Sequence, residues 1–240
     1  MNEKKRWKIC MFVWLLSALA MVGGVAAYFT DTDTQVDSFT VGRIEIDLQE
    51  PLWEEKEDAD DNGIPDEAER MQPGQTISKD PQVKNIGTNE AFIFVTVETP
   101  YRNLITVNAD GTKNEAENIA LYSYDTNADW VLLGTAYEKE GEQQYLSEKK
   151  LYAYADEAGN CIALQPEQTT PTLFDSVTMA NIVEGQGIEE QEFQMSMSAY
   201  GIQTTSLKGN ALEGQENVVS AETIWKIVSN QNEITDVYTK

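Results

Sequence analysis

Twelve residues carry the most specific chemistry in this chain: Asp58-Ala59-Asp60-Asp61-Asn62-Gly63-Ile64-Pro65-Asp66-Glu67-Ala68-Glu69. Calcium takes roughly six to eight oxygen ligands, and a twelve-residue loop offers them at positions 1, 3, 5, 7, 9 and 12 with glycine at 6. Those places hold Asp58, Asp60, Asn62, the Ile64 carbonyl, Asp66 and Glu69, with Gly63 at the turn. The Gly-Ile-Pro-Asp core is closer to a thrombospondin type 3 calcium loop than to a paired EF-hand, because no amphipathic helices flank it and no second copy follows. A structural Ca2+ of low affinity is the expectation. The alternative is an acidic, solvated insertion at 52–70, which mutual repulsion of its carboxylates keeps from ordering.

Other chemistry is thin. Histidine is absent, which removes Ser-His and Cys-His dyads and the H-E-x-x-H zinc site. With 41 Asp and Glu in 240 residues, pairs of carboxylates arise by chance and assign no glycosidase. No catalytic residues are expected, and the chain reads as a non-enzyme. The two cysteines are Cys10 and Cys161. Cys161 reads as a small buried hydrophobe, with an intermolecular disulfide as the other possibility.

The elements that must position the loop follow an N-terminal leader. Lys4, Lys5, Arg6 and Lys8 precede the apolar run Ile9 to Val22, and Gly23-Gly24-Val25-Ala26-Ala27 ends it. A basic head, an apolar middle and a small-residue exit describe a secretory signal peptide over 1–27, cut between Ala27 and Tyr28. An uncleaved anchor is the competing reading, since Ile9 to Ala27 approaches the ~20 residues that cross a bilayer. Small residues at Val25 and Ala27 favour cleavage.

Removing 1–27 takes four of the 17 Lys+Arg and one of the 41 Asp+Glu, so the net charge moves from −24 to −27. Nucleic acid and anionic lipid are repelled by such a chain. Contact with a membrane is therefore expected only through the signal peptide before cleavage.

Residues 28–240 read as a single all-β domain, an antiparallel β-sandwich with a short C-terminal helix. Segment 39–48 alternates, with a bulge expected at Gly42. Segment 91–98 is apolar on both faces at first, as a central strand requires. Segment 193–200 has the cleanest two-residue period, and further strands are expected at 129–136, 151–155, 161–164 and 172–178. Ile224, Trp225 and Val228 give 221–229 one helical face with Ser220 available as N-cap. Residues 114–119 are a weaker helical candidate.

Three blocks carry a resemblance: Gly23-Gly24-Val25-Ala26-Ala27-Tyr28-Phe29-Thr30-Asp31, Phe39-Thr40-Val41-Gly42-Arg43-Ile44, and Gln72-Pro73-Gly74-Gln75-Thr76-Ile77-Ser78-Lys79-Asp80 with Val83-x-Asn85-x-Gly87. Later stretches, Trp130 to Gly134, Leu173-Phe174-Asp175, Ala199 to Gln203 and Ile224-Trp225, add to it. Together they resemble clostridial members of the TasA/camelysin family. The resemblance implies a jelly-roll sandwich, processing by a SipW-type signal peptidase, and secretion to the surface of a Gram-positive bacterium. It also implies assembly into biofilm matrix fibres with copies of itself or related matrix subunits. Camelysins are described as surface metalloproteases, but no recognisable zinc ligand set is present to carry that activity over.

The segment Tyr28 to Ser38 is rich in β-branched and aromatic residues and free of proline. As a donor strand it can extend a neighbour's sheet edge, and such a contact repeated head-to-tail grows a filament. The plain alternative is a first strand paired within its own subunit. Two further function classes remain beside the matrix subunit: a monomeric surface adhesin or binding module, and a secreted metalloprotease.

Overall fold

The computed structural model describes residues 42–141, 144–189, 191–204 and 219–231. The chain divides into two units, Met1–Val41 and Gly42–Lys240, and every described residue belongs to the second. The leader, the cleavage pair Ala27 and Tyr28, the candidate donor strand 28–38 and residues 39–41 lie outside the described residues.

Eleven strands are described: β1 (Ile46–Gln49), β2 (Thr76–Ser78), β3 (Gln82–Asn85), β4 (Ala91–Leu104), β5 (Glu117–Ala120), β6 (Tyr122–Ser123), β7 (Trp130–Glu140), β8 (Gln144–Tyr154), β9 (Ala163–Leu164), β10 (Ser176–Met179) and β11 (Ser196–Gln203). Three helices accompany them: α1 (Pro51–Glu54), α2 (Asp66–Glu69) and α3 (Ala221–Gln231). The large sheet runs β11-β4-β8-β7, with β5 and β9 also pairing β4, and smaller sheets are formed by β2-β10-β6 and β1-β3. Every registered pair is antiparallel.

β4 organises the molecule because both of its faces are apolar. Ala91, Ile93, Val95 and Val97 point into a core shared with Val83 of β3, Val177 of β10, Leu173 and Phe174, and with Ile46 and Leu48 of β1 packed on its margin. This is the interior of the all-β sandwich. Phe92 and Phe94 point the other way, where Leu151, Ala153, Ala221, Ile224 and Trp225 meet them. The Phe94 and Trp225 rings lie 5.3 Å apart, and Trp225 also touches Tyr200 at 5.4 Å. A fully buried aromatic of this kind contributes about 1.5–3 kcal/mol, so α3 holds the outer face by a few large contacts.

Several expectations shift. Residues 114–119 are not helical: 117–120 form β5, in register with Tyr101 to Leu104 of β4, and Asn114 Nδ2 donates to Thr106 Oγ1 at 2.8 Å in the preceding turn. A side chain that bonds the nearby chain in this way competes with helix formation. Gly42 lies outside any strand, against the side chain of Asn89, so there is no bulge in a ladder there, and β1 begins only at Ile46. The strand near 193–200 runs 196–203 instead, because Phe193 packs into a separate cluster around Leu104, Leu121 and Ile182. Segment 172–178 is a strand only from Ser176.

The first described residues are stitched to the turn after β3. Arg43 N donates to Thr88 Oγ1 at 2.9 Å, Thr88 N donates to Arg43 O at 2.9 Å, and Ile86 N donates to Glu45 O at 2.9 Å. Gly87 permits this approach, since a Cβ there would stand 2.5 Å from the Arg43 carbonyl oxygen.

Candidate functional site

The acidic insertion lies between β1 and β2 and is anchored at its root. Lys79, 7% exposed, pairs with Glu50 Oε2 at 2.7 Å and stands 3.9 Å from the centre of the Trp53 ring. Burial pushes the Lys79 ammonium below its usual range, and the Glu50 carboxylate works against that shift. Asp80 Oδ1 accepts from Leu52 N at 2.9 Å. Lys56 also lies 5.6 Å from the Trp53 ring and pairs with Glu67 of α2. The loop is thus tied to the end of β2 through one tryptophan that two lysines approach.

Within the loop the chain reverses at Asp61 (φ 59°) and Gly63 (φ 84°). A left-handed residue at the sixth position is what glycine is suited to supply. Asp58 receives Asn62 N on Oδ1 at 3.2 Å and Gly63 N on Oδ2 at 2.7 Å. Partial desolvation pushes the Asp58 carboxyl up, but these backbone donors outweigh it and hold the group below the usual carboxylate range. Asn62 Nδ2 donates to Glu69 Oε1 at 2.8 Å, and Ile64 N donates to Asn62 Oδ1 at 2.7 Å.

Positions 1, 5, 6 and 12 of the candidate calcium loop are therefore in contact. Asp66 is turned differently, with Oδ1 accepting from Ala59 N at 2.9 Å, and Asp60 is exposed. Among the described residues no three acidic or cysteine side chains are gathered as a metal-holding group. The donor set is oxygen-only and acidic, which suits a hard cation such as calcium and not zinc. Asp58, Asn62 and Glu69 are adjacent and Asp60 acts on the Asp58 carboxylate, whereas Asp66 would have to turn inward.

Cys161 is half-buried beside Ala155 and Ala163 on the helix side of the large sheet. Burial, with the nearby Asp156 charge, pushes its thiol up to about 12, so it has little thiolate character and does not read as a nucleophile. The anchor of Lys79, Glu50 and Trp53 escaped the sequence reading. Its one available signal was a lysine inside the apolar-framed stretch Ile77 to Val83.

Among the described strands, the outer ones of the large sheet are β11 and β7. Leu132 and Tyr137 of β7 are among the exposed large apolar side chains, at 44% and 42%.

The family described as Camelysin metallo-endopeptidase matches residues 4–165. That span takes in the N-terminal block, the acidic insertion and β1 to β9, and stops short of β10, β11 and α3. No curated protein and no solved structure gives a match. The description names an endopeptidase activity, which stands against the expectation of a non-enzyme, while the chain offers no histidine to hold a catalytic zinc. A match over well more than half of the 240 residues, on an antiparallel β-sandwich, places the chain in the camelysin/TasA family of secreted surface proteins.

Proposed function

We propose that the protein is a structural subunit of the bacterial cell surface or biofilm matrix. A SipW-type peptidase trims it after Ala27, and residues 28–38 then add as a strand to the sheet edge of the next copy or of a related matrix subunit. What supports this reading is the match to the camelysin family over residues 4–165, a span that takes in the leader block and Tyr28 to Ser38. Each described strand has a registered partner among the described residues. Arg43 is bound to the turn at Thr88, and among the described strands β11 and β7 lie at the ends of the large sheet, where a further strand can add.

Calcium at Asp58, Asp60, Asn62, the Ile64 carbonyl, Asp66 and Glu69 has a structural role in this reading. The ion offsets the repulsion of four carboxylates and fixes a loop that is anchored to β2 through Trp53. Electron microscopy of protein beginning at Tyr28 tests assembly: filaments are expected, and deletion of residues 28–37 removes them. Filaments that survive the deletion overturn strand donation, and a monodisperse ligand-binding species supports the adhesin instead. Calcium calorimetry on this protein and on Asp58→Ala with Glu69→Ala tests the loop. Equal heats from the two proteins remove the site.

The family description favours one second reading, a surface metallo-endopeptidase. Casein hydrolysis by the purified protein that a chelator abolishes would establish it.

A further inference from the structure

A cleft of about 380 Å³ opens where β4 ends and β5 begins, beside the start of β8. We propose that it binds a neutral, hydroxyl-rich saccharide. Its volume falls in the range of small-molecule sites, roughly 300–1,000 Å³. Four carboxamides line it, those of Asn103, Asn118, Gln144 and Gln186, together with Arg102 and Tyr145. Asn103 and Asn118 are register partners across β4 and β5, which sets two planar amides side by side.

Gln186 is structural. It accepts from Ile105 N at 2.7 Å and donates to Ile105 O and Val183 O at 3.0 and 2.8 Å. The side chains of Asn103, Asn118 and Gln144 make no hydrogen bond among the described residues, so each offers a donor and an acceptor to a ligand.

Charge selects the ligand class. Acidic side chains number 41 in the chain, yet none lines the cleft, so a cation finds no counter-charge there. A net charge of −24 opposes an anionic ligand that meets a single arginine. A neutral polar molecule remains, and paired amides match vicinal hydroxyl groups, which both donate and accept. Leu104 and Ile188 supply apolar wall for the C–H faces of a sugar ring.

Two of the lining side chains, Arg102 and Tyr145, are also held before a ligand arrives. Arg102 Nη1 donates to Tyr101 O and Leu146 O at 2.8 and 2.5 Å, with its guanidinium 5.3 Å from the Phe193 ring. Tyr145 is fixed by Tyr101 and Tyr137, with ring centres 5.6 and 5.5 Å away, and by Lys139 at 4.2 Å. Groups already ordered lose little entropy on binding.

Native electrophoresis of the intact secreted protein through gels containing hydroxyethylcellulose, dextran or glycol chitin tests the proposal. Retardation is expected in at least one polymer. Asn103→Ala with Asn118→Ala, and separately Tyr145→Ala, should each weaken it about tenfold while leaving mobility in plain gel and the melting temperature unchanged. Should Tyr145→Ala unfold, the amide pair carries the test alone. No retardation in any of the three polymers, or undiminished retardation of the amide variant, overturns the proposal. Filament assembly is read by microscopy and is independent of this outcome.

Discussion

Among single residues, Lys79 and two tyrosines have the clearest consequences. Lys79 is held by Glu50 and Trp53 in a place where Glu50 Oε1 has no hydrogen-bond partner. Lys79→Ala should cost about 3–5 kcal/mol of stability in urea unfolding, because it leaves Glu50 without its counter-charge. Burial pushes the Tyr124 phenol up, and at the more exposed Tyr137 partial desolvation together with the hydrogen-bonded Glu148 carboxylate pushes the phenol up to about 12. A raised folded pKa contributes stability that is complete below the unfolded value of 10.0 and is lost as pH climbs through the folded one. Phenolate absorbance should therefore lag the expected tyrosine content until the protein unfolds, and Tyr124→Phe should reduce the lag. Asp58, Asn62 and Glu69 were legible as neighbours from spacing alone, because the loop's glycine fixes the reversal. The turning of Asp66 to Ala59 was not, since a backbone amide competes for that carboxylate.

Among the elements, β4 was legible as a central strand from its unbroken apolar run, and α3 from its single apolar face. Trp225 joins the two. Trp225→Ala should cost about 3–5 kcal/mol in thermal or urea unfolding, because it empties the space between Phe94 and Tyr200. The short strands escaped reading for a physical reason. β2, β3, β5 and β6 are two to four residues long, so their alternation is too brief to register, and long-range partners define them instead. α1 and α2 are single turns inside the acidic insertion, formed where the loop is anchored and without any apolar period. Residues 193–200 show the limit of a clean pattern: Phe193 fits the alternation yet packs away from the strand into the cluster at Leu104.

At the scale of the whole molecule, a net charge of −24 makes the compact state repel itself. The melting temperature should rise as sodium chloride is added from near zero to about 0.15 M, where the screening length falls to ~8 Å. A flat or falling profile by calorimetry would show that local ion pairs such as Lys79 with Glu50 outweigh the general repulsion. One arrangement also bears on how such a chain is made. The faces and flank of β4 are covered by β11 and α3, and the pairing of Thr96 with Ser198 spans 102 positions. A ribosome or a translocation channel releases residues in order, so Phe92 and Phe94 stay bare until that late stretch emerges. Delivery through the envelope therefore meets a thread rather than a finished body, and any factor that shields nascent apolar surface would have to act during that interval.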